Sequence, residues 1–201
     1  MKLTKLFFAA VIVLSANASF AQLAPVLASH NVNINIPEVA LLDLKSLTGT
    51  SITLTGTEPT VAGDPMDFSG ATNSTIYMNY SSIVRGALVR NVTVQITSGS
   101  VPTGLKLTVK ASAATGGAGN LGDEVVGADV DGTFIIPASD GTAAPIVTGI
   151  GSAYTGKANG NGRNLTYTLG YATDAATDYA SLRNVDLIGV PLTITYTLSE
   201  I

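Results

Sequence analysis

Leu192-Thr193-Ile194-Thr195-Tyr196-Thr197-Leu198 sets an apolar side chain at every second position, with threonine between them. Successive side chains of a strand point to opposite faces, so this stretch reads as a strand with Leu192, Ile194, Tyr196 and Leu198 inward. The same period of two recurs upstream. It appears in Val32, Ile34 and Ile36, in Ile76, Met78 and Tyr80, in Val92, Val94 and Ile96, in Leu105, Leu107 and Val109, and in Leu165, Tyr167 and Leu169. Each of these is expected to be a strand with one buried face. Residues 39–44, 51–54, 133–136 and 146–150 are further strand candidates, separated by Gly, Pro, Asn or Asp clusters that favour turns. Eight to ten strands without intervening helices imply a β-sandwich or a closed barrel.

Composition points the same way. Charged residues are 12% of the chain and cysteine is absent, so the fold must rest on burial and backbone pairing rather than on disulfides. Residues 111–132 and 155–162 read as long loops, the second containing Asn-Gly-Asn-Gly. A short helical turn is expected near residues 174–182. The openings Arg90-Asn91-Val92, Arg163-Asn164-Leu165 and Arg183-Asn184-Val185 are alike but unequally spaced, so they read as similar strand entries and not as a repeat.

At the N-terminus, Lys2 and Lys5 precede an apolar run from Leu6 to Leu14 and then small residues ending Ser19-Phe20-Ala21. This is the pattern of a cleaved signal peptide over residues 1–21, leaving residues 22–201 as one β-sandwich domain exported through the inner membrane. The run is too short for a bilayer core of about 30 Å, which needs roughly 20 apolar residues. Without Lys2 and Lys5, eight basic residues face fourteen acidic ones, and the formal charge moves from −4 to −6. A mildly acidic chain with no basic cluster is not expected to bind nucleic acid. An outer-membrane barrel is a rival, but Ile201 falls out of phase with the last strand, and 6% aromatic residues would hardly furnish two interfacial girdles.

Few residues could carry chemistry. His30 is the single histidine, so Ser/His/Asp and Cys/His arrangements and histidine metal sites lack their parts, and no enzyme activity is expected. Gly117-Ala118-Gly119-Asn120-Leu121-Gly122 matches a dinucleotide-binding spacing, yet Asp123-Glu124-Val125 after it does not read as a helix, and the flexible-loop reading is preferred. Asp123, Glu124, Asp129 and Asp131, with Asp140 further on, are hard oxygen ligands near glycines that could hold Ca²⁺, but Asp129-Val130-Asp131-Gly132 does not place glycine where an EF-hand needs it and no flanking helices are visible, so a solvated acidic loop is the preferred reading and no cofactor is expected. Asn73, Asn79, Asn91 and Asn164 stand in glycosylation triplets, read here as polar halves of alternating strands. Tyr77, Tyr154, Tyr171 and Tyr179 are candidates to stack on sugars.

Three stretches, Asn31-Val32-Asn33-Ile34-Asn35-Ile36-Pro37, Val101-Pro102-Thr103-Gly104-Leu105-Lys106-Leu107-Thr108-Val109 and the closing Leu192 to Leu198, resemble the secreted fimbrial-subunit and surface-filament β-sandwiches of Gram-negative bacteria, including Bacteroidetes-type proteins. The resemblance implies an immunoglobulin-like subunit at the cell surface that polymerises or adheres, often by donating a strand to an identical neighbour. The chain departs from many pilins in having no disulfide. The expectation is therefore an immunoglobulin-like or jelly-roll-like antiparallel β-sandwich acting as a filament subunit. Val32, Ile34 and Ile36 would be its donor residues, unless the strand 31–36 pairs within its own sheet, as an N-terminal strand commonly does. The alternative is a monomeric surface module that binds a glycan or a cell-surface receptor.

Overall fold

The computed structural model describes residues 27–183 and 191–201. The proposed signal peptide and the strand entry after Arg183 lie outside them. The chain divides into two units, Met1–Asn35 and Ile36–Ile201. In the first, residues 27–35 carry neither helix nor strand. The second is an all-β sandwich of two antiparallel sheets.

Eleven strands follow in chain order among the described residues: β1 Val39–Ser46, β2 Thr72–Ile83, β3 Arg90–Ser98, β4 Leu105–Ala111, β5 Ala118–Gly119, β6 Asp123–Glu124, β7 Phe134–Ile135, β8 Ala144–Ile150, β9 Ala153–Tyr154, β10 Arg163–Tyr171 and β11 Thr193–Glu200. The one α-helix among the described residues, α1, is Ala175–Asp178; Asp174 caps it by accepting a hydrogen bond from the Thr177 amide. No helix among the described residues is long and apolar enough to cross a membrane. Seven strands form the larger sheet in the order β5-β9-β2-β10-β4-β7, with β1 on the other side of β2; the smaller sheet runs β11-β3-β8-β6.

Within β2, β3, β4 and β10 the period of two does what the sequence leads one to expect, whereas Val32, Ile34 and Ile36, expected as a strand with one buried face, lie in no strand and are exposed. Ile76, Met78 and Tyr80 of β2, Leu107 and Val109 of β4, and Leu165 and Tyr167 of β10 face Val92, Val94 and Ile96 of β3 across a common core. The apolar run in β8 is not alternating, and bulges resolve it. The β3 register shifts by a residue between Val92 and Thr93 and again between Arg90 and Val92. An extra residue turns the strand, so Ile146, Val147 and Ile150 all become buried.

Residues 51–54 depart from expectation. They belong to no strand, although Ile52 and Leu54 still pack against the core. Alternation fixes which side chains turn inward, whereas a ladder also needs a neighbouring backbone; the only pairing nearby is an isolated bridge of Thr57 with Asp67. The long stretch at 111–132 is also more ordered than a loop. β5 pairs with β9, and β6 pairs with β8. Gly117 permits this, since a Cβ there would lie 1.9 Å from the Tyr154 carbonyl oxygen.

Candidate functional site

Asn31–Ile36 is the strongest candidate for interaction, and its geometry is simple. No residue from 27 to 38 is part of a strand. Val32, Ile34 and Ile36 are 68%, 82% and 71% exposed. Pro37 has no amide hydrogen and disfavours helix at Ile36, so the segment is biased to an extended form that stops at residue 37. His30 beside it is exposed.

The acidic residues take separate roles. Asp123 and Glu124 are neighbours on β6, and neighbours on a strand point to opposite faces. The Glu124 carboxylate accepts from Arg163 Nη1 at 3.1 Å, and its pKa is held below the usual value, first by its own backbone amide and then by Arg163. Asp129 pairs with Lys106 Nζ at 2.9 Å. Asp131 accepts Lys110 Nζ at its backbone carbonyl, 2.8 Å away, and adopts a left-handed φ of 57°. Among the described residues no three carboxylate or imidazole groups converge as a metal site would require. The calcium idea thus finds no assembled ligand set among the described residues; Asp123, Glu124, Asp131 and Asp140 are exposed, and Arg163 and Lys106 pair with Glu124 and Asp129.

Sequence reasoning missed the two arginines that do this. Arg163 is 1% exposed and places all five donors. Nε donates to the Tyr80 hydroxyl, Nη1 to the Ser112 carbonyl and Glu124, and Nη2 to the Leu121 and Gly122 carbonyls at 3.0 and 2.6 Å. Tyr80 in turn donates to the Leu121 carbonyl. Arg90 is equally enclosed. Its Nη1 donates to the Val39 and Ile83 carbonyls and the Ser82 hydroxyl, and its Nη2 lies 3.6 Å from Glu200. One side chain of the smaller sheet therefore holds β1 and β2 of the larger one. The signal was phase: Arg90 is in register with Val92, Val94 and Ile96, and Arg163 with Leu165 and Tyr167, so both occupy inward positions. Arg183 breaks the likeness, being exposed and bonded to the nearby Ala180 and Leu182 carbonyls.

The triplet asparagines act within the strands. Asn79 is buried and donates to the Gly156 and Asn161 carbonyls; Asn73 accepts from Thr75, Asn91 from the Gly149 amide, and Asn164 donates to the Ser74 carbonyl. Of the candidate sugar-stacking tyrosines, Tyr154 and Tyr179 are exposed, on β9 and in a turn after α1. Tyr171 ends β10, meets Phe68 edge to face at 5.1 Å, and donates to the Met66 carbonyl. An open, mainly apolar groove of about 590 Å³ lies beside this pair, bounded by Pro65, Met66, Thr168 and Leu169. No protein-family model, curated protein or solved structure matches the chain.

Proposed function

We propose that this protein is an extracellular structural subunit of a surface filament, exported by its N-terminal segment, with Asn31–Ile36 donated as a strand to an identical neighbour. The observation that carries the reading is an alternating apolar segment with its three branched side chains in solvent and its backbone in no ladder. Adding such a strand to a sheet edge gives affinity through main-chain bonds, while alternate pockets for Val32, Ile34 and Ile36 set register. Burying each side chain contributes roughly 1.5–3 kcal/mol before ordering costs, enough to matter at each subunit addition.

Negative-stain microscopy of protein lacking residues 1–21 tests it, together with deletion of residues 22–37 and, separately, Ile34→Asp. Filaments from the parent, folded but filament-free variants, and binding of a peptide copying residues 31–37 to the truncated protein are the expected results. Parent protein that stays monomeric, or variants that polymerise as well as the parent, would overturn the proposal. The groove beside Phe68 and Tyr171 favours a second reading, a monomeric module that stacks a sugar or peptide on Tyr171. Persistent monomers whose glycan-array binding is lost in Tyr171→Ala would support that alternative.

A further inference from the structure

The loop between β9 and β10 contains two identical dipeptides, Asn159-Gly160 and Asn161-Gly162, and the fold treats them in opposite ways. Asn-Gly is the pair in which a backbone nitrogen meets least hindrance in reaching the preceding side-chain amide, because glycine has no Cβ. Asn159 is exposed at the tip of a turn closed by the Asn161 amide donating to the Ala158 carbonyl at 3.1 Å. Gly160 is the third residue of that turn, with φ of 83°, and the space where its Cβ would stand is open. The Gly160 carbonyl accepts from Thr115 Oγ1 at 2.8 Å, but among the described residues no hydrogen bond reaches the Gly160 amide or the Asn159 carbonyl or side chain, so the peptide between 159 and 160 is held at neither of its own ends.

The peptide between Asn161 and Gly162 is fixed at both ends. Its carbonyl accepts from Asn79 Nδ2 at 2.9 Å, and its N–H donates to the Thr115 carbonyl at 2.8 Å. Thr115 returns the bond, donating its own amide to the Gly162 carbonyl, also at 2.8 Å. Gly162 is buried, with φ of 96°, and a Cβ on it would fall 2.4 Å from the Met78 carbonyl oxygen. The Asn161 side chain is itself packed against Gly116 and Gly156.

We propose that Asn159 is a site of spontaneous deamidation and that Asn161 is protected by the fold. In the reaction the deprotonated Gly160 nitrogen attacks Cγ of Asn159; an N–Cγ bond forms, the Cγ–Nδ2 bond breaks, and ammonia leaves with a proton from solvent. The cyclic imide then takes up water at either carbonyl, and the C–N bond to that carbonyl breaks, giving aspartate or isoaspartate. The balance is one water consumed and one ammonia released, with no oxidant and no partner. At Asn161 the same attack requires the Gly162 nitrogen to leave Thr115 and the peptide plane to leave Asn79, so it proceeds only through local opening. The product adds a negative charge at the tip of the loop and, as isoaspartate, an extra main-chain methylene inside the turn.

The test is peptide mapping of the full chain after ageing at mildly alkaline pH, folded and in guanidinium chloride. Exchange of NH₂ for OH is expected at Asn159 alone in the folded protein and at both residues in the unfolded one, with Asn161 slowed at least about tenfold by folding. Equal conversion of the two in the folded protein overturns the proposal. So does a folded chain inert at Asn159 while the unfolded chain converts, or an unfolded chain that spares Asn161. Asn79→Ala, shown to be folded by circular dichroism, should let Asn161 convert; continued protection would overturn the role given to the Asn79 contact. If that variant does not fold, the folded-against-unfolded comparison on the parent chain decides.

Discussion

Arg163 is a buried cation whose ionic partner among the described residues, Glu124, is half in water. Glu124 is 42% exposed, so the pair by itself contributes little after solvent screening. The carbonyls of Ser112 and Gly122 and the Tyr80 hydroxyl are what a truncation would leave without a donor, while the Leu121 carbonyl would keep only the Tyr80 hydroxyl. Arg163→Ala is therefore expected to lower stability by about 3–5 kcal/mol, and Glu124→Gln by less than about 1 kcal/mol, both read from urea midpoints. Arg163→Lys should recover only part of the loss, since an ammonium cannot serve the fork-shaped set of acceptors. Equal effects of Arg163→Ala and Glu124→Gln would show that the ion pair, and not the carbonyl cluster, holds this region. Glu124 also has a pH signature. Its folded pKa is depressed, so its small contribution is present above the ordinary carboxylate value and is lost as pH falls through the folded one.

Between elements, the two sheets touch through a polar contact inside an apolar core. The Tyr167 hydroxyl of β10 and the Tyr196 hydroxyl of β11 lie 2.7 Å apart. Burial pushes the Tyr167 pKa up to about 12 and that of Tyr196 well above the usual 10. Raised folded values mean that this stabilisation is complete below about pH 10 and is lost as pH rises towards 12. Urea midpoints measured across that window should fall steeply in the parent and distinctly less in Tyr167→Phe with Tyr196→Phe. A fall of the same steepness in the double variant would place the alkaline sensitivity elsewhere. The N-terminal segment makes a different forecast at this scale. Ile34→Asp alters a side chain already 82% exposed, so its effect on the urea midpoint should stay within about 0.5 kcal/mol while filament formation is abolished. A large loss of stability would return the strand to its own sheet.

For the whole molecule, the mode of assembly should be visible in its salt dependence. Contacts made by Val32, Ile34 and Ile36 and by backbone amides are apolar or neutral, and the chain outside residues 1–21 carries a formal charge of −6 that repels identical copies. Raising ionic strength from about 0.1 to about 1 M shortens the screening length from about 10 to about 3 Å. Filament yield, measured by sedimentation, should therefore hold or rise, and sulfate should strengthen it further. Dissolution of filaments by sodium chloride would point to ion pairing as the bond between subunits.

The alternating apolar residues in β2, β3, β4, β10 and β11 were enough to specify an all-β fold with one buried face per strand, because side-chain direction in a strand depends only on parity; that the strands close as two sheets and not as a barrel is set by their pairing. The parity of Arg90 and Arg163 is that of the inward residues and went unread, and a sequence does not say which carbonyls lie within reach of a buried guanidinium. Those acceptors come from residues 112, 121, 122, 39 and 83, assembled by pairings distant along the chain. The same limit separates 51–54, which has the alternation without a partner, from Ala118–Gly119, which has a partner without the alternation. It also separates two Asn-Gly pairs that are identical as sequence. Local chemistry thus sets which face each residue turns and which bonds it is able to make; only the tertiary structure decides whether a backbone, a carbonyl or a lysine stands opposite, because those neighbours are brought there by the rest of the fold.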